Sequence, residues 1–142
     1  MTNIELTITQ EINVPVAIVW DALINPVKIK QYLFGTDTHC DWKVGSSLRF
    51  TGEWEGKQYE DKGTILAIET EKLLSYNYWS GFSGVPDVRE NYQIVTFRLT
   101  STENKTRLHL TQQNIRSEEA KTHSEQNWKM VLNSLKELVE KG

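Results

Sequence analysis

The chain has 142 residues, of which 38% are hydrophobic and 25% charged, the size and make-up of one globular domain spanning residues 1–142. A net charge of −3, from 16 basic and 19 acidic residues, offers no basic excess to attract nucleic acid or an anionic membrane surface. No apolar run approaches the roughly 20 residues of a membrane span. The opening MTNIELTITQ lacks the pattern of a signal peptide, and the single cysteine, Cys40, has no internal disulfide partner, so a cytoplasmic location is expected.

Ile4, Leu6, Ile8, Gln10 and Ile12 alternate with polar residues, which predicts a half-buried first strand. The next segment, NVPVAIVWDALINP, predicts a helix with Pro15 in its first turn and Pro26 marking its end. Val16, Val19, Trp20 and Leu23 share its apolar face, and a second short helix is expected around Val27–Leu33.

From about His39 the period becomes two. Leu48, Phe50, Gly52 and Trp54 share one strand face, and Glu55-Gly56 makes a turn. Tyr59–Ile68 reads as another strand, with Gly63 at a bulge or a close approach. Leu74, Tyr76 and Tyr78 alternate on the next. After the Ser80–Asn91 loop, Val95, Phe97 and Leu99 mark a strand, Thr102–Lys105 a turn, and Leu108 and Leu110 the last strand. Connections this short predict an antiparallel meander.

Ser117 is positioned as an N-cap, with Glu118 and Glu119 in the first helical turn, where the helix dipole favours acids. Trp128, Val131, Leu132, Leu135, Leu138 and Val139 fall on one stripe of the helix that follows. Traced backward, the stripe meets Ala120, Ser124 and Asn127. Bulky apolar groups therefore face inward at one end and small or polar groups at the other. A helix of roughly 24 residues is about 36 Å long, enough to lie across a curved sheet.

This order of elements resembles the START-like (SRPBCC) helix-grip superfamily, in the branch of the C-terminal domain of the activator of the large heat-shock chaperone's ATPase. The residues that carry the likeness are VWDAL (Val19–Leu23), DWKVGSSLRF (Asp41–Phe50), GTILAIE (Gly63–Glu69), VTFRLTSTENKTRLHLTQQ (Val95–Gln113) and HSEQNWKMVLNSL (His123–Leu135). Two positions depart from the family pattern: Ser46 and Asn127 stand where glycine is usual. The resemblance implies an α+β fold, a curved antiparallel sheet wrapped around a long C-terminal helix, often with an apolar cavity between them. It does not imply one function, because members include lipid or polyketide binders, occasional enzymes and chaperone cofactors.

The residues themselves argue against most site chemistry. His39 and Cys40 are adjacent and point to opposite strand faces, and no Cys-x-x-Cys or His-x-x-x-His spacing occurs, so no metal site is expected. GFSGV (Gly81–Val85) lacks the final glycine of a nucleophile elbow and sits in a loop between antiparallel strands, which reads as a flexible loop. Cys40 has the parity of a buried small residue. His39, His109 and His123 are all assigned outward-facing positions, and Asp61 is placed at a strand end on the rim. A general acid or base inside the fold is then left to a tyrosine or a bound water.

The inward-facing aromatics are the leading functional signal. Trp54, Tyr59, Tyr76, Tyr78, Phe97 and Trp128 either fill the core or, with Asn127, line a cavity whose tyrosine hydroxyls need partners. Phe82, at the tip of the Ser80–Asn91 loop, is placed at its mouth. The expected function is non-enzymatic binding of a small, largely apolar molecule, with no cofactor. One alternative is a chaperone-cofactor or protein-interaction module, against which stands the expected start of the chain at its first strand, without the extra N-terminal domain of a full chaperone activator. The other is an enzyme acting on a hydrophobic or polyketide-like substrate.

Overall fold

The computed structural model describes residues 3–81 and 84–141, without the side chain of Trp54. Seven strands and three α-helices follow in chain order: β1 (Leu6–Ile12), α1 (Val16–Ile24), α2 (Pro26–Tyr32), β2 (Asp37–Cys40), β3 (Ser47–Trp54), β4 (Lys57–Glu69), β5 (Leu73–Ser80), β6 (Gln93–Thr102), β7 (Lys105–Gln113) and α3 (Glu118–Glu140). A single 3-10 turn, Arg89–Asn91, precedes β6.

The strands form one antiparallel sheet in the order β1-β7-β6-β5-β4-β3-β2. β2 to β7 are a meander, and β1 returns beside β7, so the two edge strands, β1 and β2, are consecutive in the sequence. This is the α+β helix-grip fold expected. Two-residue turns do much of the work. Glu55 and Gly56 have φ of 52° and 80°, and Glu103 and Asn104 have φ of 46° and 66°, the left-handed pair that joins two twisted strands tightly.

Between β4 and β5 the ladder is irregular, with a register shift between Ile65 and Ala67. The close approach expected at Gly63 is there: a Cβ on Gly63 would lie 1.7 Å from the Asn77 carbonyl oxygen. The Asn77 side chain also accepts from the Thr64 amide at 2.7 Å, replacing a ladder bond lost at the distortion.

Pro26 does not simply stop the first helix. It is the first residue of α2, whose N-cap is Asn25, with the side-chain oxygen accepting from the Val27 amide at 3.0 Å. Proline suits this position because a first-turn N–H has no helical partner to lose.

The core lies between the concave sheet face and the three helices, and Val131, Leu132, Leu135 and Val139 on α3 are buried in it. Ser117 caps α3 as expected, accepting from the Ala120 amide at 3.1 Å. At the other end, Glu140 accepts from the Asn13 amide at 2.7 Å and from Lys136, whose ammonium also donates to the Glu11 carbonyl at 3.0 Å. The C-terminal end of α3 is thereby tied to the end of β1. The outer sheet face is polar and paired, with Arg49 on Glu60 and Arg107 on Glu11. Among the described residues, no helix is long and apolar enough to cross a membrane.

Candidate functional site: a cleft under the N-terminal half of the long helix

The aromatic residues of the inner sheet face touch in series. Phe50 packs against both Tyr76 and Tyr78 at 6.2 Å between ring centroids, Tyr76 against Phe97 at 6.3 Å, and Phe97 edge-on against Trp128 at 5.9 Å and 81°. Tilted and edge-to-face contacts of this kind are the favoured ones. The series forms a floor and leaves space above it. A cleft of about 570 Å³ opens between that floor and the first turns of α3, bordered by Tyr59, Tyr76, Tyr78, Ser124, Asn127 and Trp128 among others. Its volume falls within the roughly 300–1,000 Å³ of small-molecule sites.

The inward-facing aromatics take different positions. Phe97 is buried and lines a small inner void of about 40 Å³, which places it beneath the floor. Tyr59, Tyr76, Tyr78, Asn127 and Trp128 border the cleft itself. The Trp54 side chain and Phe82 lie outside the described residues.

Three polar arrangements are built into the apolar walls. The Tyr78 hydroxyl donates to Asp61 at 2.6 Å, and the Gly81 amide donates to the same carboxylate at 3.2 Å. Burial, and then the nearby Asp61 charge, push the Tyr78 hydroxyl well above its ordinary pKa. Asp61 lies within β4, not at a strand end, and opposite Ser80 on β5.

The Tyr59 hydroxyl meets the Thr36 hydroxyl at 2.6 Å. Gly52 makes this reach available. It faces Tyr59 across β3 and β4, and a Cβ there would fall 2.4 Å from the tyrosine oxygen. Finally, the Trp128 indole N–H donates to Gln112 Oε1 at 2.8 Å, and Gln112 Nε2 donates to Gln93 Oε1 at 2.5 Å. Gln112 is only 5% exposed, and this relay satisfies both ends of its amide. Tyr76 differs from the other two tyrosines. It is 7% exposed, and among the described residues no group hydrogen-bonds its hydroxyl, which burial alone raises above its ordinary pKa.

Gln93 and Gln112 are the site residues that apolar alternation passes over. Their parity carried the signal: Gln93 is in step with Val95 and Phe97, and Gln112 with Leu108 and Leu110. His123 is also placed differently from its expected outward position. It is exposed, yet it borders the cleft, because the opening runs around the side of α3 and reaches residues off the inward stripe. His39 and His109 lie on the outer face, beside Thr51 and Thr9.

A second opening, of about 400 Å³, lies between the start of α3 and the loop after β5, bordered by Ala120, Ser124, Trp79, Val85 and Glu90 among others. The loop read as flexible is pinned over its described part. Trp79 Nε1 donates to the Val85 carbonyl, Asn91 to the Pro86 carbonyl and Tyr92 to Asp87, which also pairs with Lys62 at 2.5 Å. Among the described residues no cluster of three His, Cys, Asp or Glu is placed to hold a metal ion.

Residues 13–140 match the family described as Activator of Hsp90 ATPase homolog 1-like protein. No curated protein matches the chain. A solution structure of a protein from Cytophaga hutchinsonii (ChR145) is 42% identical, with a TM-score of 0.86 over 99% of this chain and 97% of that one. A crystal structure of a Mesorhizobium loti protein is 23% identical, with a TM-score of 0.79 over 97% and 98% of the two chains. The solution structure of the Aha1 dimer from Colwellia psychrerythraea is 18% identical, with a TM-score of 0.76 over 96% of each. At those last two identities the likeness is one of fold.

Proposed function

Because the chain belongs to the Activator of Hsp90 ATPase homolog 1-like family, whose fold grips a helix in a sheet, we propose that it binds a small, largely apolar molecule in the cleft beneath α3, without catalysing a reaction. The observation that supports this most is the cleft itself. About 570 Å³ of space stands over an aromatic floor, with polar groups at a few fixed points, the usual composition of a small-molecule site. Asn127 and Trp128 approach it from the helix, and Tyr59, Tyr76 and Tyr78 from the sheet. Trp54 is assigned to its lining by parity, and Phe82 to its mouth by loop position.

The test is thermal unfolding with and without a panel of neutral aromatic compounds and fatty acids. A ligand held in the cleft raises the melting temperature in proportion to its occupancy. A panel that leaves the melt unmoved, and native mass spectrometry that finds no small molecule on protein from its own cells, would refute the reading.

A second reading, a chaperone-cofactor module, is favoured by the family description. In the same native mass spectra it predicts a chaperone-sized partner instead of a small molecule.

A further inference from the structure

The charges and hydrogen-bond groups around the cleft narrow what it can hold. Its acidic members are Glu53 and Asp61, and among the described residues no lysine or arginine borders it. The Asp61 carboxylate is half-buried and accepts from Tyr78 and Gly81; as an acceptor-only group it offers a ligand carboxylate no donor, only like charge. Arg116 borders the second opening. Tyr76 borders the cleft, and among the described residues no group hydrogen-bonds its hydroxyl. That hydroxyl is left to solvent, and a ligand oxygen that displaces the solvent takes over its hydrogen bond.

Resting on the reading of the cleft as a small-molecule site, we propose that it selects neutral ring compounds bearing a carbonyl or hydroxyl oxygen, which Tyr76 hydrogen-bonds, and turns away carboxylates of the same skeleton. The two halves of this selection come from different residues. Tyr76 supplies the attraction. Asp61 supplies the rejection, because a second carboxylate brought beside this half-buried group meets like charge at reduced dielectric, to which the exposed Glu53 adds little. Fatty acids are therefore poor ligands despite the apolar floor.

Three naphthalene probes of one skeleton separate these contributions: 2-acetylnaphthalene, 2-naphthoic acid and 2-methylnaphthalene, measured by calorimetric or fluorescence titration near neutral pH. The ketone is expected to bind the parent protein at least about tenfold more tightly than the acid. Tyr76→Phe lowers affinity for the ketone by roughly three- to tenfold and leaves the methyl compound unchanged. Asp61→Asn narrows the gap between ketone and acid by strengthening the acid. The methyl compound serves as the reference within each protein, so a moderate loss of stability in a variant does not blur the comparison. An acid that binds the parent as tightly as the ketone overturns the selection, and so does a Tyr76→Phe variant with unchanged ketone affinity. If none of the three probes binds, the small-molecule site itself falls, and the selection with it.

Discussion

Tyr78 and Asp61 meet across β4 and β5 at 2.6 Å, where neither would be stable alone. The tyrosine is a donor in an apolar floor, and the carboxylate is half-buried, with the Gly81 amide as its other donor among the described residues. Removing the tyrosine oxygen leaves the carboxylate short of a partner, which costs roughly 1–3 kcal/mol. Tyr78→Phe is therefore expected to lower the denaturation midpoint by that amount, measured by urea unfolding with an unchanged slope. A Tyr78→Phe protein as stable as the parent would show that solvent already satisfies Asp61. Gly63 is a second single-residue constraint. An added methyl group would fall 1.7 Å from the Asn77 carbonyl oxygen, which is backbone and cannot swing aside. Gly63→Ala is expected to cost at least about 1–3 kcal/mol in the same measurement.

The long helix carries two predictions of its own. Its buried Val and Leu residues are each worth roughly 1.5–3 kcal/mol, against a total of about 5–15 kcal/mol for a domain. Deleting residues 117–142 should abolish cooperative unfolding, and a sharp melt of the truncated chain would mark the helix as an appendage. The tie at its far end is pH-dependent. Hydrogen bonds from Lys136 and then from the Asn13 amide hold the Glu140 carboxyl below the usual carboxylate range. A depressed folded pKa means that the stabilisation is present above the unfolded value and is lost as pH falls through the folded one. Melting temperature should thus decline between about pH 5 and pH 3, and less steeply in Glu140→Gln than in the parent. Equal slopes would sink the idea.

These elements were legible in the sequence because period-two alternation and the Ser117 cap depend only on neighbouring residues. The start of α2 was not, since Asn25-Pro26 is at once a stop for one helix and a cap for the next. The polar relay through Gln93 and Gln112 was missed for a related reason: alternation weighs apolar side chains, and these two are polar residues in apolar step.

At the scale of the whole molecule, the sheet grips the helix unevenly. Toward the C-terminal end, Leu132, Leu135 and Val139 are buried. Toward the N-terminal end, Ala120 and Ser124 face the sheet and are too short to cross to it, and both openings border Ser124. On the proposed function, stability and binding fall to different halves of one helix, and a substitution at Ser124 separates them. If the cleft is the binding space, a tryptophan there fills it without displacing packed side chains. Ser124→Trp should then melt close to the parent, and should lose the ligand stabilisation that the parent gains, about 2.7 kcal/mol at a hundredfold excess over the dissociation constant. If the aromatic floor instead rises to occupy the cleft in solution, the same tryptophan overpacks it and costs roughly 1–3 kcal/mol. The measurement is thermal unfolding of parent and Ser124→Trp side by side, with and without ligand. A strongly destabilised variant, beside a parent that no ligand stabilises, would return Tyr59, Tyr76, Tyr78 and Trp128 to a purely structural role.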